Sequence, residues 1–310
     1  MQRVMRGLGD RLYLVGGSNE VLRLYDEAGF TANVNVEAWH ARLAARHAFF
    51  AAAGIPWCQV LAPEKLSIDG DALLTAEIGP AALPPGQRLV ERLNHPALVY
   101  PRPWLRRQLA AGHEMYADTD SHWTPVGALA AFQWLMRHLG MAVDYAPYLA
   151  LDSETLEYHG DLWEPHFTDI PPGRFIRKRI PAHVERLHAN PIVRAKERLG
   201  LPNDMGLHVG SHVAYRNAHA ERPERLLLFG SSFSDHRAEC GLLTFLAALH
   251  FREVHFVWSA DLDLDLIGRI APDVAVVEMP ERFLTTCPAD QFNLAAHVAK
   301  VLERRGLEPG

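Results

Sequence analysis

Cysteine is scarce in this 310-residue chain, and its three copies form no recognisable pair. Cys58, Cys240 and Cys287 lie far apart, and no Cys-x-x-Cys motif occurs. This excludes a zinc ribbon and a thiol redox pair. Disulfide scaffolds are typical of much smaller secreted chains, so cysteine contributes nothing to the prediction of fold or function.

Long apolar runs and a surplus of basic charge are also missing. No segment approaches the roughly 20 apolar residues that cross a bilayer, and the N-terminus lacks the apolar stretch of a signal peptide. We therefore expect a chain that is not transmembrane and, as written, is cytoplasmic. With 31 Lys and Arg against 37 Asp and Glu, the net charge is -6, and nucleic-acid binding is not expected.

What the chain does contain is an alternation of short apolar runs with helical patterns. Hydrophobic residues make up 48% of the chain and charged residues 22%, which is typical of a folded protein. In the last third, strands are predicted at 225–229, 253–258 and 273–279, and helices at 236–250, 264–270 and 290–304. This order predicts an α/β fold with a mostly parallel central sheet, whose strands bind ligands at their carboxyl ends.

The first half shows the same kinds of pattern, whereas its continuation does not. Predicted helices cover 36–53, 88–95, 102–111 and 125–138, and predicted strands cover 57–63 and 97–100. A loop is expected to begin at Pro63. We expect one domain over 1–310 with an irregular insertion at about 150–222, whose one regular part is a basic helix near 181–199.

Ser232 lies where a buried strand turns into a helix, in the sequence Gly230-Ser-Ser-Phe-Ser234. Such a turn exposes its hydroxyl above the sheet and directs backbone N–H groups toward the same place, which suits an oxyanion. A serine there still needs a base to act as a nucleophile. The alternative is a plain polar turn with a capping serine, since the Gly-x-Ser-x-Gly elbow is absent.

Asp120 and His122 lie on the loop before a predicted helix that starts at Thr124-Pro125. Residues two apart in an extended loop point to the same side, so the carboxylate can orient the imidazole as a base. Two alternatives stay open. The first is a surface loop in a chain with 17 histidines, and the second is a metal site formed by Asp118, Asp120 and His122.

Several further residues are candidates for binding substrate. Trp123 adjoins the candidate base, and an aromatic face there would suit a sugar ring. Tyr215, Arg216 and Asn217 precede the serine strand and could form a polar pocket. The segment 158–163 is either a substrate loop or, preferably, a solvated turn.

The loop and the turn together resemble one family. Asp120-Ser-His-Trp-Thr-Pro-Val-Gly-Ala128 resembles the Asp-x-His-Trp-Thr-x-x-Gly-Ala block of the alginate O-acetyltransferase family, and 230–234 looks like its Gly-x-Ser-[Phe/Tyr]-Ser block. The order, Asp and His before Ser, also matches. Weaker echoes are found at 60–65, at 160–162, and at 272–274 followed by Glu281-Arg282.

The resemblance implies an SGNH-hydrolase-like fold with three layers, α/β/α, and a serine-dependent O-acetyltransferase. Ser232 would be the nucleophile, His122 the general base and Asp120 its orienting partner. The acetyl donor would be acetyl-CoA or a membrane acetyl-transfer partner, and the acceptor a bacterial polysaccharide or sugar precursor. No cofactor, no metal and no separate carbohydrate-binding domain are expected. Alginate-type relatives are exported, which would imply a periplasmic protein if a leader has been trimmed.

Three other readings remain. An acetyl esterase would use the same three residues with water as the acceptor. A catalytically silent protein of this fold would bind glycan or act as a scaffold. A metal-dependent hydrolase would use Asp118, Asp120 and His122.

Overall fold

The computed structural model describes residues 3–200, 206–237 and 242–308. Its strands, in chain order, are β1 (Val4–Arg6), β2 (Leu12–Leu14), β3 (Trp57–Ala62), β4 (Leu98–Val99), β5 (Ser153–Tyr158), β6 (Gly173–Lys178), β7 (Val184–Ala189), β8 (His212–Asn217), β9 (Arg222–Gly230), β10 (Phe251–Trp258) and β11 (Val274–Pro280). Seven of them form one sheet in the order β4-β3-β11-β9-β10-β8-β7. Neighbours from β4 to β10 are parallel, and β8 is antiparallel to both of its neighbours.

Helices cover both faces of this sheet. They are α1 (Glu27–Asn33), α2 (Val36–Ala52), α3 (Lys65–Asp69), α4 (Asp71–Glu77), α5 (Pro85–Leu93), α6 (Arg102–Ala110), α7 (Pro125–His138), α8 (Ala146–Leu149), α9 (Pro191–Leu199), α10 (Leu243–His250), α11 (Leu264–Ile270) and α12 (Leu294–Arg305). The predicted three-layer α/β/α architecture with a mostly parallel sheet is confirmed.

Side-chain alternation along the central strands explains the two layers. In β9, Leu226 and Leu228 belong to the core that contains α7 and α10, whereas Leu227 and Phe229 belong to the core that contains α2, α11 and α12. Successive residues of a strand point to opposite faces, so a strand buried on both faces is apolar throughout. This is why 225–229 has no polar alternation in the sequence.

The prediction for 150–222 is wrong. This region contains the hairpin β5–β6, the strands β7 and β8, and the helix α9. The predicted basic helix near 181–199 is a strand in its first half, and only Pro191–Leu199 is helical. Because β7 and β8 extend the central sheet, the region is not an irregular insertion. Most side chains of β5 and β7 are exposed, so these strands carry no apolar period.

Two boundaries also differ from the prediction. The loop expected at Pro63 gives way at once to the short helix α3. The helix expected at 236–250 begins at Leu243 in the described residues, and Cys240 lies outside them. Across 3–200, 206–237 and 242–308, no helix has the length and apolarity needed to span a membrane.

Glu281, just beyond β11, ties several segments to the carboxyl edge of the sheet. Its buried carboxyl group accepts hydrogen bonds from the Glu64 amide at 2.7 Å, the Gly86 amide at 2.9 Å and the Tyr100 hydroxyl at 2.6 Å. The Tyr25 hydroxyl approaches to 3.4 Å. Burial raises the pKa of Glu281 to about 7, although these hydrogen bonds oppose the shift.

Replacing Glu281 with alanine should destabilise the protein, because the buried amides of Glu64 and Gly86 and the Tyr100 hydroxyl would lose their acceptor. We expect the free energy of unfolding, measured by urea denaturation, to fall by about 3 kcal/mol or more. Glu281→Gln keeps one acceptor oxygen, so its free energy of unfolding should fall clearly less than that of Glu281→Ala. Equal stability of the wild type and both variants would contradict this role.

Candidate active site

Parallel pairing gathers three strand ends at one edge of the sheet. β9 ends at Gly230, β11 ends at Pro280 and β3 ends at Ala62, all pointing the same way. The turns that follow these strands therefore meet above the sheet. Ser232 follows β9 at the start of a single 3-10 turn, Ser232–Ser234.

The loop with Asp120 and His122 reaches the same edge because the start of α7 fixes it. Thr124 caps this helix, as predicted, and its hydroxyl accepts from the Gly127 amide at 3.0 Å. The Thr124 amide donates to the Met115 carbonyl at 2.9 Å, which closes the loop on itself. The loop then lies beside the serine turn.

Asp120, His122 and Ser232 form a continuous chain of hydrogen bonds. The Asp120 Oδ1 atom lies 2.8 Å from both the backbone N and the Nδ1 atom of His122. His122 Nε2 lies 2.7 Å from the Ser232 Oγ atom. A proton on Nδ1 leaves Nε2 free to accept the serine hydroxyl proton, which is the arrangement that activates a serine.

The pKa values of Asp120 and His122 shift in opposite directions. Burial alone would raise the pKa of Asp120, but the hydrogen bonds and charge of His122 hold that pKa well below its usual range. Burial would likewise lower the pKa of His122, yet the hydrogen bond to Asp120 and the charge of Asp161 raise it to about 8. An ionised carboxylate and a basic imidazole are thus maintained together.

A buried carboxyl group on β11 holds the serine turn. Glu278 accepts from the Ser231 amide at 2.9 Å, from the Ser231 hydroxyl at 2.9 Å and from the Ser234 hydroxyl at 2.7 Å. Gly230 is required here, because a Cβ atom would lie 2.7 Å from the Cβ of Ser234. Of the three serines, Ser232 is therefore the one whose hydroxyl points to His122.

The loop of Asp120 is held from the β3 side by a buried lysine. Lys65 Nζ donates to the carbonyls of Ala117 and Asp118, both at 2.7 Å. Next to it, Arg282 Nη1 donates to both carboxyl oxygens of Glu64, at 3.0 and 2.9 Å. The weak sequence echoes at 60–65 and 281–282 are thus direct partners in the fold.

The segment 158–162 holds the same loop from the other side. Asp161 accepts from the amide and the hydroxyl of Ser121, both at 2.7 Å. Gly160 packs so closely that a Cβ atom would lie 2.3 Å from the Thr119 carbonyl oxygen. The Tyr158 hydroxyl donates to Asp120 Oδ2 at 3.1 Å. The reading of this segment as a solvated turn is wrong.

A cavity of about 350 Å³ opens over Ser232 and His122. One wall comes from the loop and the start of α7, and the opposite wall comes from the hairpin β5–β6, including Tyr158 and Phe175. Val126 and Ile176 lie at its rim and are partly exposed. A substrate in this cavity would lie directly against the serine hydroxyl.

The structure corrects the expectation for Trp123. Its side chain is only 3% exposed, its indole N–H donates to the Phe233 carbonyl at 3.0 Å, and its ring packs edge-on against Phe233. The ring reaches the cavity wall but has no free face for a sugar. It braces the turn that carries Ser232.

Tyr215, Arg216 and Asn217 are not brought to the cavity, so their predicted role in substrate binding is wrong. They lie on β8, and the Tyr215 hydroxyl donates to the His236 carbonyl at 3.1 Å. Asn217 donates to the Leu249 carbonyl at 2.7 Å, and Arg216 is exposed beside Glu253. The sequence placed them before β9, but β8 lies beyond β10 in the sheet.

The alternative metal set is not assembled either. Asp118 is directed to Arg11, with Oδ1 3.5 Å from Nε. Within the described ranges, the group with ligand atoms in close reach is Asp120, His122 and Asp161, all within 4.8 Å of one another. Both ring nitrogens of His122 already have hydrogen-bond partners in Asp120 and Ser232.

The sequence matches the profile of one known protein family. The profile of the family described as SGNH hydrolase-like domain, acetyltransferase AlgX, matches residues 23–191. The chain belongs to this family. The matched segment contains Asp120 and His122 and stops before Ser232, whose contact with His122 is given by the geometry. No curated protein sequence matches the chain.

Solved structures share the fold of the chain. The O-acetyltransferase domain of AlgJ from Pseudomonas putida is 16% identical, with a TM-score of 0.54 over 97% of this chain and 99% of that one. PatB1 from Bacillus cereus is 12% identical, with a TM-score of 0.57 over 91% and 97%. A DHHW family protein from Eubacterium siraeum is 13% identical, with a TM-score of 0.54 over 75% and 80%.

Sequence reasoning missed the residues that support the site. Glu278 lies inside an apolar strand and had no motif around it. Asp161, Lys65 and Arg282 lie in segments with weak similarity to the family, and this similarity assigns them no role. Tyr158 carries no local signal, because its partner is 38 residues away.

The charge of Asp120 should be measurable at His122. In Asp120→Asn, the hydrogen bond and charge that raise the His122 pKa are weakened while burial remains. We expect the pKa of His122 to fall from about 8 to below its ordinary 6.5. An NMR titration of the imidazole resonances measures this, with His122→Gln as the assignment control. An unchanged pKa would contradict the coupling.

Proposed function

We propose that this protein is a serine-dependent O-acetyltransferase that moves an acetyl group onto a hydroxyl of a polysaccharide. One observation carries the proposal: the hydrogen-bonded chain from Asp120 through His122 to Ser232 ends at a cavity of about 350 Å³. Membership of the AlgX-type acetyltransferase family agrees with it. The similar fold of the AlgJ O-acetyltransferase domain agrees as well.

The proposed reaction has two half-steps through an acyl-enzyme. Ser232 Oγ attacks the acetyl carbonyl carbon of the donor while His122 Nε2 takes the hydroxyl proton. The donor's leaving oxygen or sulfur then departs with that proton, and an acetyl ester remains on Ser232. An acceptor hydroxyl next attacks this ester and gives its proton to His122, which returns it to Ser232 Oγ. Asp120 stays ionised and holds the imidazole throughout.

The backbone supplies one donor for the oxyanion. The Ser232 amide begins the turn that follows β9, and it donates no hydrogen bond to another group in the described part of the chain. It is therefore free to donate to the negative oxygen that develops on the acetyl carbon.

The first test uses p-nitrophenyl acetate with the wild type and Ser232→Ala. We expect a burst of nitrophenolate and an acetyl adduct in the intact mass of the wild type. Both should vanish in Ser232→Ala, with turnover lower by about 1,000-fold or more. Ser18→Ala is the matched control, since Ser18 is exposed and does not line the cavity. Equal adduct formation in wild type and Ser232→Ala would reject the proposal.

Acceptors then separate transfer from hydrolysis. With the acyl-enzyme formed, polysaccharides with free hydroxyl groups are added, and acetylated product is measured by mass spectrometry. Faster deacylation with product formation supports the transferase. Release of acetate alone, at a rate that no acceptor changes, supports the esterase.

The pH dependence of kcat/KM is expected to follow the ionisation of His122. His122 must be neutral to take the serine proton, and its pKa is raised to about 8. Below this value kcat/KM for p-nitrophenyl acetate should therefore rise by about tenfold per pH unit, and then level off. Asp120→Asn should show a lower plateau and a limb shifted to lower pH. A wild-type profile that is flat between about pH 6 and about pH 9, a range that brackets the raised pKa of His122, would contradict His122 as the base.

A further inference from the structure

Tyr158 takes a place in the site that the acyl-transfer chemistry leaves unexplained. It ends β5, and its hydroxyl donates to Asp120 Oδ2 at 3.1 Å. The other carboxylate oxygen, Oδ1, is already occupied by the amide and the Nδ1 atom of His122. The two oxygens of Asp120 are thus divided between the base and a tyrosine from a different part of the chain.

The tyrosine remains a donor throughout the working range of pH. Burial raises its pKa far above the ordinary value, and the negative charge of Asp120 raises it further. Its ring packs edge-on against Phe175 of β6, with ring centroids 5.5 Å apart. Both rings line the cavity over Ser232. One side chain therefore joins the cavity wall to the carboxylate.

We propose that Tyr158 is a positioning residue that orients Asp120 through its second oxygen and so limits the basicity of His122. The proposal rests on the proposed function in taking His122 as the general base. Tyr158 has no hydrogen bond to Ser232 or to His122 among the described residues, so it acts through Asp120. Through Tyr158, the hairpin β5–β6 that forms one wall of the cavity also helps to position Asp120 and His122.

The physical effect has a defined sign. A neutral donor on Oδ2 spreads the negative charge of the carboxylate and weakens its attraction for the imidazolium. Without that donor, the full charge of Asp120 faces His122 and favours its protonated form. The pKa of His122 should then rise, and less of the base is neutral near pH 7.

Other charged groups face His122, Asp120 or Tyr158 from several elements. They are Asp161 after β5, Arg282 after β11, Glu64 and Lys65 after β3, and Glu114 ahead of the loop. Because none of them bonds the Tyr158 hydroxyl, a shift in Tyr158→Phe reports the lost hydrogen bond. The phenylalanine keeps the ring contact with Phe175.

The test compares Tyr158→Phe with the wild type by NMR titration of His122 and by the pH profile of kcat/KM. We expect the His122 pKa to rise by about half a unit to one unit, with an equal shift of the acid limb. Activity near pH 7 should fall by about threefold to tenfold, with a smaller change on the plateau. Tyr215→Phe, which removes a buried hydroxyl bonded to His236, is the matched control and should leave both readouts unchanged.

A double variant guards against a merely structural effect. In Asp120→Asn, adding Tyr158→Phe should cause no comparable further shift, because the coupling passes through the carboxylate. An unchanged His122 pKa in Tyr158→Phe would overturn the proposal, even with reduced activity. So would the same shift in the Asp120→Asn background. The titration needs no turnover, so it separates this result from a failure of Ser232→Ala to lose activity.

Discussion

The hydrogen bonds of Glu278 to the serine turn are the constraint on which the rest of the site depends. Ser231 and Ser234 both bond this buried carboxyl group, and Ser232 between them is left to face His122. Since β9 and β11 are parallel neighbours, the sheet itself sets the distance from carboxyl group to turn. Burial raises the pKa of Glu278, and its serine donors oppose that shift. Ser232 is therefore placed by a central strand pair rather than by a loop.

The loop that carries Asp120 and His122 is held differently, by converging segments that are distant in sequence. Lys65 holds the carbonyls just before Asp120, and Asp161 holds Ser121 between Asp120 and His122. The cap of α7 fixes the loop on its far side. Buried polar groups are costly unless they are paired, and here each support satisfies a donor or an acceptor that burial would otherwise leave alone. The loop is therefore hydrogen-bonded to the rest of the fold on both sides of Asp120.

The hairpin β5–β6 connects the cavity to the loop that carries Asp120, because Tyr158 lines the cavity and donates a hydrogen bond to Asp120. It forms one wall of the cavity and lies outside the central sheet.

Solved structures with 12–16% identity share the fold with this chain. Such similarity is consistent with a sheet whose requirements are apolar alternation and strand order, which many sequences meet. The polar contacts around Asp120 need particular side chains at particular distances, so they characterise the chain more narrowly than the fold does.

Features with local signals could be predicted from the sequence. The apolar runs predicted β9, β10 and β11, Thr124-Pro125 predicted the start of α7, and the family blocks pointed to Asp120, His122 and Ser232. Each of these depends on neighbours within a few residues, through side-chain period or a capping hydrogen bond.

The remaining features depend on tertiary packing and could not be predicted from the sequence. β5 and β7 expose most of their side chains, so no apolar period revealed them. Trp123 is buried against Phe233. Tyr215 is carried away from the cavity on β8, because strand order rather than chain order places it. Glu278 and Tyr158 act on residues 47 and 38 positions away. Such contacts depend on how distant segments pack together, which no local pattern encodes.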